Sequence, residues 1–155
     1  MKAQSNKKNR LSVESNFDNG NAIVRYINQK SRTVNIEPKQ INGAVNIWWH
    51  FKINGIKPGE KITIKPNHSP IAGDCHPVYS YDGDKWQRFD DRKAPYQQKF
   101  KKSSVEVARN IPYTFTRCSK LANKVKSNMV EKFNLSTTEE RRQVLGFKFT
   151  NKEVS

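Results

Sequence analysis

Between Leu11 and Val107 the apolar positions fall in short runs, many of them spaced by two and separated by turn residues, which is the signature of strands. Residues 21–27 and 31–36 are β-branched, partly alternating runs, and the Asn28-Gln29-Lys30 stretch between them predicts a hairpin. Residues 47–53 read as a strand with Ile47, Trp49, Phe51 and Ile53 on one face and Trp48, His50 and Lys52 on the other. Asn54-Gly55 and Pro58-Gly59 are turn signals. They precede a strand over 61–65 whose isoleucines share a face, and Pro66 and Pro70 then bound a loop. Further short strands are expected at 77–81, 85–89, 96–100 and 104–108. Nothing here alternates with helices, so the expected fold class is all-β: a jelly-roll-like antiparallel β-sandwich of about seven to nine strands.

The texture changes at Pro112. Phe115, Cys118, Leu121 or Ala122, Val125, Met129 and Phe133 recur at three- and four-residue steps, which predicts an amphipathic helix of roughly five turns. Ser136-Thr137-Thr138-Glu139 has the form of a capping box and predicts a short second helix toward Gly146. Residues 147–150 read as one more short strand. The expected organisation is a disordered basic tail over 1–11, a β-sandwich over 12–113, and a helical connector over 114–155 that opens onto a further domain.

Composition narrows the class. A chain of 155 residues, 34% hydrophobic and 10% aromatic, can bury one core. Its mean hydropathy of -0.91 and lack of a long apolar run argue against a membrane partner. The polar N-terminus has no apolar h-region, which makes a cytoplasmic location the expectation. Cys75 and Cys118 lie far apart without CxxC spacing and are expected as reduced thiols. A net charge of +15 favours contact with polyanions. The positive residues are dispersed, however, and no RNP-type motif, helix-turn-helix spacing or zinc-finger ligand set accompanies them. Nucleic acid is therefore not expected as a specific partner. Acidic peptides or protein tails would also be drawn to such a surface.

Four phrases stand in order along the first two thirds of the chain. They are Phe17-Asp18-Asn19-Gly20-Asn21, Trp48-Trp49-His50-Phe51, Pro77-Val78-Tyr79-Ser80 followed by Trp86, and Pro112-Tyr113-Thr114. The first suits a tight turn, with Gly20 and its flanking asparagines tolerating positive φ and Asp18 able to accept backbone hydrogen bonds. Together the phrases resemble the N-terminal domain of the cytosolic zinc carboxypeptidases. The resemblance assigns a structural family-motif role to Phe17, Asp18, Gly20, Asn21, Trp48, Trp49, Phe51, Pro77, Ser80, Trp86, Pro112 and Tyr113. It implies a small sandwich that precedes a zinc metallopeptidase domain.

The resemblance also implies a zinc site of the form His-x-x-Glu, as His-Pro-Gly-Glu, plus a distant histidine. Here His76-Pro77 continues as Val78-Tyr79, and neither His50 nor His68 has a glutamate three residues on. No catalytic residue, metal ligand or cofactor is therefore assigned to this chain, and zinc is expected in the missing catalytic domain. Asp82 and Asp84 flank Gly83 as a turn, and Asp90-Asp91 reads as a solvated loop. The expected function is a non-catalytic accessory domain of a metallocarboxypeptidase, as a truncated or split product. Its partner would be the catalytic domain, in cis or in trans. The alternative is a basic stand-alone sandwich binding polyanions, or glycans through Trp48, Trp49 and Trp86.

Overall fold

The computed structural model describes residues 9–40, 47–67, 75–139 and 141–150. The chain divides into two compact units, Met1–Pro112 and Tyr113–Ser155. The first carries nine strands among its described residues. They are β1 (Ser12–Glu14), β2 (Ile23–Asn28), β3 (Thr33–Glu37), β4 (His50–Asn54), β5 (Lys61–Pro66), β6 (Val78–Ser80), β7 (Trp86–Arg88), β8 (Tyr96–Lys99) and β9 (Ser104–Ala108). One sheet has the order β1-β4-β9-β6-β7 and the other β2-β3-β5-β8.

Period-two alternation gives each sheet an apolar inner face. Trp49 and, from β4, Phe51 and Ile53 join Val105 and Val107 of β9 and Tyr79 of β6. They share one core with Val34 and Ile36 of β3, Ile62 and Ile64 of β5, and Tyr96 of β8. The all-β sandwich read from the sequence is thus the observed fold, with one departure. Strands β3 and β5 run parallel, Val34 beside Ile64. The cause is topological: β4 lies between them in sequence but belongs to the opposite sheet. The chain therefore re-enters the four-stranded sheet in its original direction.

Other details differ locally. The strand expected over 47–53 begins at His50, and Ile47 is exposed rather than facing the core. Leu11, placed in the tail by its sequence, is buried, and the Gln29 side-chain amide pairs with both its backbone N–H and its carbonyl. Residues 1–8 of that tail, and most of the loop bounded by Pro66 and Pro70, lie outside the described residues. Arg32 sits at φ 52° and staples three segments. Its guanidinium donates to the Asn9 carbonyl at 3.1 Å, the Gly55 carbonyl at 2.8 Å and Glu60 Oε2 at 2.7 Å. Both cysteines are free. Cys75 lies in the core with its Sγ 3.0 Å from the Tyr96 hydroxyl, and burial, followed by that contact, pushes the Tyr96 phenol well above its usual range.

The second unit corrects the C-terminal reading. Its helix, α1 (Phe115–Lys124), is shorter than the five turns expected. It starts on Thr114, whose hydroxyl accepts the Arg117 N–H at 3.1 Å, and ends where Val125 turns to extended backbone. Ser127 then competes for the chain, its hydroxyl accepting the Met129 N–H and its carbonyl the Val130 N–H. Met129 and Phe133 therefore leave the helical series. The capping box and second helix are replaced by a hairpin of β10 (Val130–Thr137) and β11 (Gln143–Phe149).

At the tip of this hairpin Thr138 closes the turn, pairing with Arg142 through backbone and hydroxyl, and Arg141 takes φ 61°. Its stability is nonlocal. Phe133 lies across Gly146, where an added Cβ would fall 2.6 Å from the ring. The strand read over 147–150 is thus part of β11 and has β10 as its partner.

Replacing Trp49, fully buried between the sheets, by alanine is expected to cost about 3–5 kcal/mol in chemical denaturation. A second expectation concerns Glu60. Burial raises its carboxyl, but the Arg32 side chain and the Lys57 amide outweigh that and hold it below the usual range. A lowered folded value stabilises above the unfolded carboxyl range and is lost as pH falls through it. The stability gap between the parent chain and Glu60→Gln should therefore shrink below about pH 4, measured by urea titration at stepped pH.

Candidate functional site

The alternation that fills the core sends a second set of side chains to the outer face of the five-stranded sheet. Lys52 of β4 lies beside Glu106 of β9, then Ser80 of β6, then Trp86 of β7, in one cross-strand row. His50, Ala108 and Val78 form the next row. The sequence alternation puts His50, as a polar residue, on the far side of its strand. It is on that side, but only 2% exposed.

Three aromatic rings surround it edge-on. The Phe17, Trp86 and Trp48 rings lie 4.9, 5.7 and 6.3 Å from the imidazole, centroid to centroid. Both ring nitrogens of His50 lack a hydrogen-bond partner among the described residues. Its Nε2 lies 3.4 Å from Glu106 Oε2, outside hydrogen-bond geometry.

Tight turns position the rings. In the Phe17–Asn21 phrase the Gly20 N–H bonds the Phe17 carbonyl at 2.8 Å. The left-handed residue there is Asn19, at φ 66°, not Gly20. Gly20 is needed for space, because a Cβ would meet the Ser15 carbonyl oxygen at 2.2 Å. Asn21 pairs its backbone with His50 and donates its side-chain N–H to the Trp48 carbonyl at 3.0 Å. The Trp48 indole N–H reaches the Asn19 carbonyl at 3.4 Å.

On the other side, the fully buried Ser80 organises the Asp82–Lys85 turn. Its hydroxyl donates to Asp82 Oδ1 at 3.0 Å and accepts the Gly83 N–H at 2.9 Å. The N–H groups of Lys85 and Asp84, then the Ser80 hydroxyl, hold the Asp82 carboxyl below its usual range. The Gly83 carbonyl accepts the Trp86 indole N–H at 3.0 Å.

Of the motif residues, Phe17, Asn21, Trp48, Ser80 and Trp86 thus build one patch, with Gly20 supporting it and Asp18 in the same turn. Trp49 and Phe51 face the core instead. The Pro77 carbonyl accepts the Phe89 N–H, fixing the entry to β6. Pro112 closes the first unit, and Tyr113, largely exposed, precedes the helix cap of the second. Glu106 belongs to no motif. Its only sequence signal is its place between inward-facing Val105 and Val107.

A separate cleft of about 260 Å³ at the edge strand β8 is lined by Lys61, Asp90, Asp91, Gln97, Gln98 and Lys99 and contains none of the motif residues. Asp91 accepts the Gln97 N–H there, which guards the edge against pairing. Among the described residues no three His, Cys, Asp or Glu side chains converge. His76 contacts the Phe89 carbonyl, and His68 lies outside the described residues. Among the described residues no helix is long and apolar enough to cross a membrane.

Ser80→Ala removes the three hydrogen bonds that the Ser80 hydroxyl makes with Asp82 and Gly83 and leaves the turn to Asp82 alone. It should cost about 1–3 kcal/mol and increase quenching of Trp86 fluorescence by iodide.

Residues 13–115 match the family model for the cytosolic carboxypeptidase N-terminal domain. No curated protein matches the chain. Among solved structures, the metallo-carboxypeptidase from Burkholderia cenocepacia aligns at 20% identity and TM-score 0.77, over 94% of this chain and 41% of its own. A metallo-carboxypeptidase from Pseudomonas aeruginosa aligns at 21% identity and TM-score 0.78, over 93% of this chain and 41% of its own. The chain therefore spans about two fifths of the length of these structures, and the likeness in fold continues past the family-matched residues into the second unit. On the match over residues 13–115, the chain belongs to the family of cytosolic carboxypeptidase N-terminal domains.

Proposed function

We propose that this chain works as the non-catalytic accessory domain of a cytoplasmic zinc metallocarboxypeptidase, with a catalytic domain supplied further along the same gene or by a second chain. One observation carries the reading: a family match across the sandwich combined with a sequence that contains no His-x-x-Glu. Water activation by zinc needs two imidazoles and a carboxylate on one metal, and that set belongs to the other domain. This chain's part is to support and flank the cleft. Its net charge of +15 would draw acidic peptides or protein tails toward it.

The second unit supports the same reading. A two-stranded hairpin is marginal in water by itself. In β11, Leu145, Phe147 and Phe149 alternate onto one face, and Phe149 is 74% exposed. Ala122 is the one fully buried side chain among the unit's described residues. Such a stripe is suited to the start of a larger sheet that a catalytic domain would complete.

The direct test is to read the gene beyond the Ser155 codon in all three frames. A His-Pro-Gly-Glu phrase is expected, and its absence over the next few hundred codons would remove the in-cis version. Purified with added zinc, the chain is expected to release no C-terminal residue from glutamate-ended peptides, and measurable release would overturn the non-catalytic assignment. In sedimentation velocity it should self-associate through its uncovered apolar surface, whereas a monodisperse monomer would argue against a missing domain.

A further inference from the structure

We propose that the aromatic patch around Glu106 is a recognition site for a basic side chain, with arginine the best match, carried by a protein segment laid against the outer face of the five-stranded sheet. The starting point is a carboxylate whose one ion-pair contact among the described residues is the His50 imidazole, at 3.4 Å. The chain holds 29 lysines and arginines against 14 acids, so a partly buried acid would be expected to have found a cation. Glu106 has a side chain only 29% exposed, and among the described residues no lysine or arginine forms an ion pair with it. Lys52 stands directly opposite in the strand register and still does not pair with it. The Gly83 turn lies above: a Cβ at Gly83 would sit 3.6 Å from Glu106 Oε1.

The second observation is His50. It is 2% exposed, neither ring nitrogen has a partner among the described residues, and Nε2 sits 3.4 Å from the same carboxylate. Oε2 and the imidazole thus face each other without a hydrogen bond between them, at the floor of a patch walled by Phe17, Trp48 and Trp86. These three rings are only partly buried. Both indole N–H groups are already committed to the Asn19 and Gly83 carbonyls, so their π surfaces are the recognition chemistry left. A carboxylate beside an imidazole that indole and phenyl rings surround is a combination that attracts a cation, through ring quadrupole and ion pair together. A planar guanidinium can stack on an indole and still donate to a carboxylate.

The three tryptophans make the test direct, because Trp49 in the core is an internal reference for Trp48 and Trp86. The full chain, 15N-labelled, is titrated with acetyl-arginine amide and, separately, with the uncharged isostere acetyl-citrulline amide, following the three indole N–H signals. The expected result is movement of the Trp48 and Trp86 signals with arginine while Trp49 stays fixed. Citrulline should bind at least about tenfold more weakly, a factor worth about 1.4 kcal/mol, and Glu106→Gln should lose the arginine response by a similar factor. Equal responses to the two amides, no response, or an arginine response that survives Glu106→Gln would each overturn the proposal. Should Glu106→Gln fail to fold, the arginine–citrulline comparison in the unsubstituted chain decides alone.

Discussion

Everything in the first unit depends on the phase of the strand that begins at His50. Side chains of a strand alternate between faces, so Trp49, Phe51 and Ile53 reach the core only if His50 and Lys52 turn away from it. A slip of one residue would put an imidazole and an ammonium between the sheets and the large apolar groups outside. The inter-sheet core fixes the phase, since the fully buried Trp49 packs against Phe51 and Tyr96 at ring distances of 5.8 and 6.3 Å. The outer patch inherits its geometry from that packing. Core and surface site are therefore two faces of one constraint.

Around that strand the patch is held by backbone groups. Asn21 ties β4 to the Phe17–Asn21 turn, and Ser80 ties β6 to the turn that carries Trp86. Trp48 and Trp86 are each anchored by the indole N–H on a carbonyl in a turn that includes a left-handed residue, Asn19 or Gly83. Arg32 and Glu60 play the same part at the other sheet's end, where one guanidinium satisfies carbonyls from two separate segments. Short polar links of this kind let a unit rich in loops present a defined surface.

How much of this could be read from the sequence follows from the range of the forces. The strands of the sandwich were legible because alternation is local and turn residues such as Gly55, Gly59 and Gly83 mark their ends. The C-terminal hairpin was not legible. Phe115 to Leu121 has true helical spacing, but Met129 and Phe133 continue that spacing by coincidence, and Phe133 answers to Gly146 across the hairpin. The burial of His50 was hidden for the same reason, because Phe17 and Trp86 approach it from distant segments. Five motif residues fall in the patch, Phe17, Asn21, Trp48, Ser80 and Trp86, while Glu106 could be seen only once the register set it beside Ser80.

The parallel pairing of β3 with β5 also bears on how the first unit folds. To go from one of these strands to the other the chain must pass through β4, which belongs to the opposite sheet and pairs there with β1 and β9 from the two ends of the unit. Neither sheet is a contiguous piece of chain. Contacts of such long sequence separation slow folding. Cleavage anywhere between β2 and β8 would divide the strands of both sheets between two fragments, not of one sheet alone.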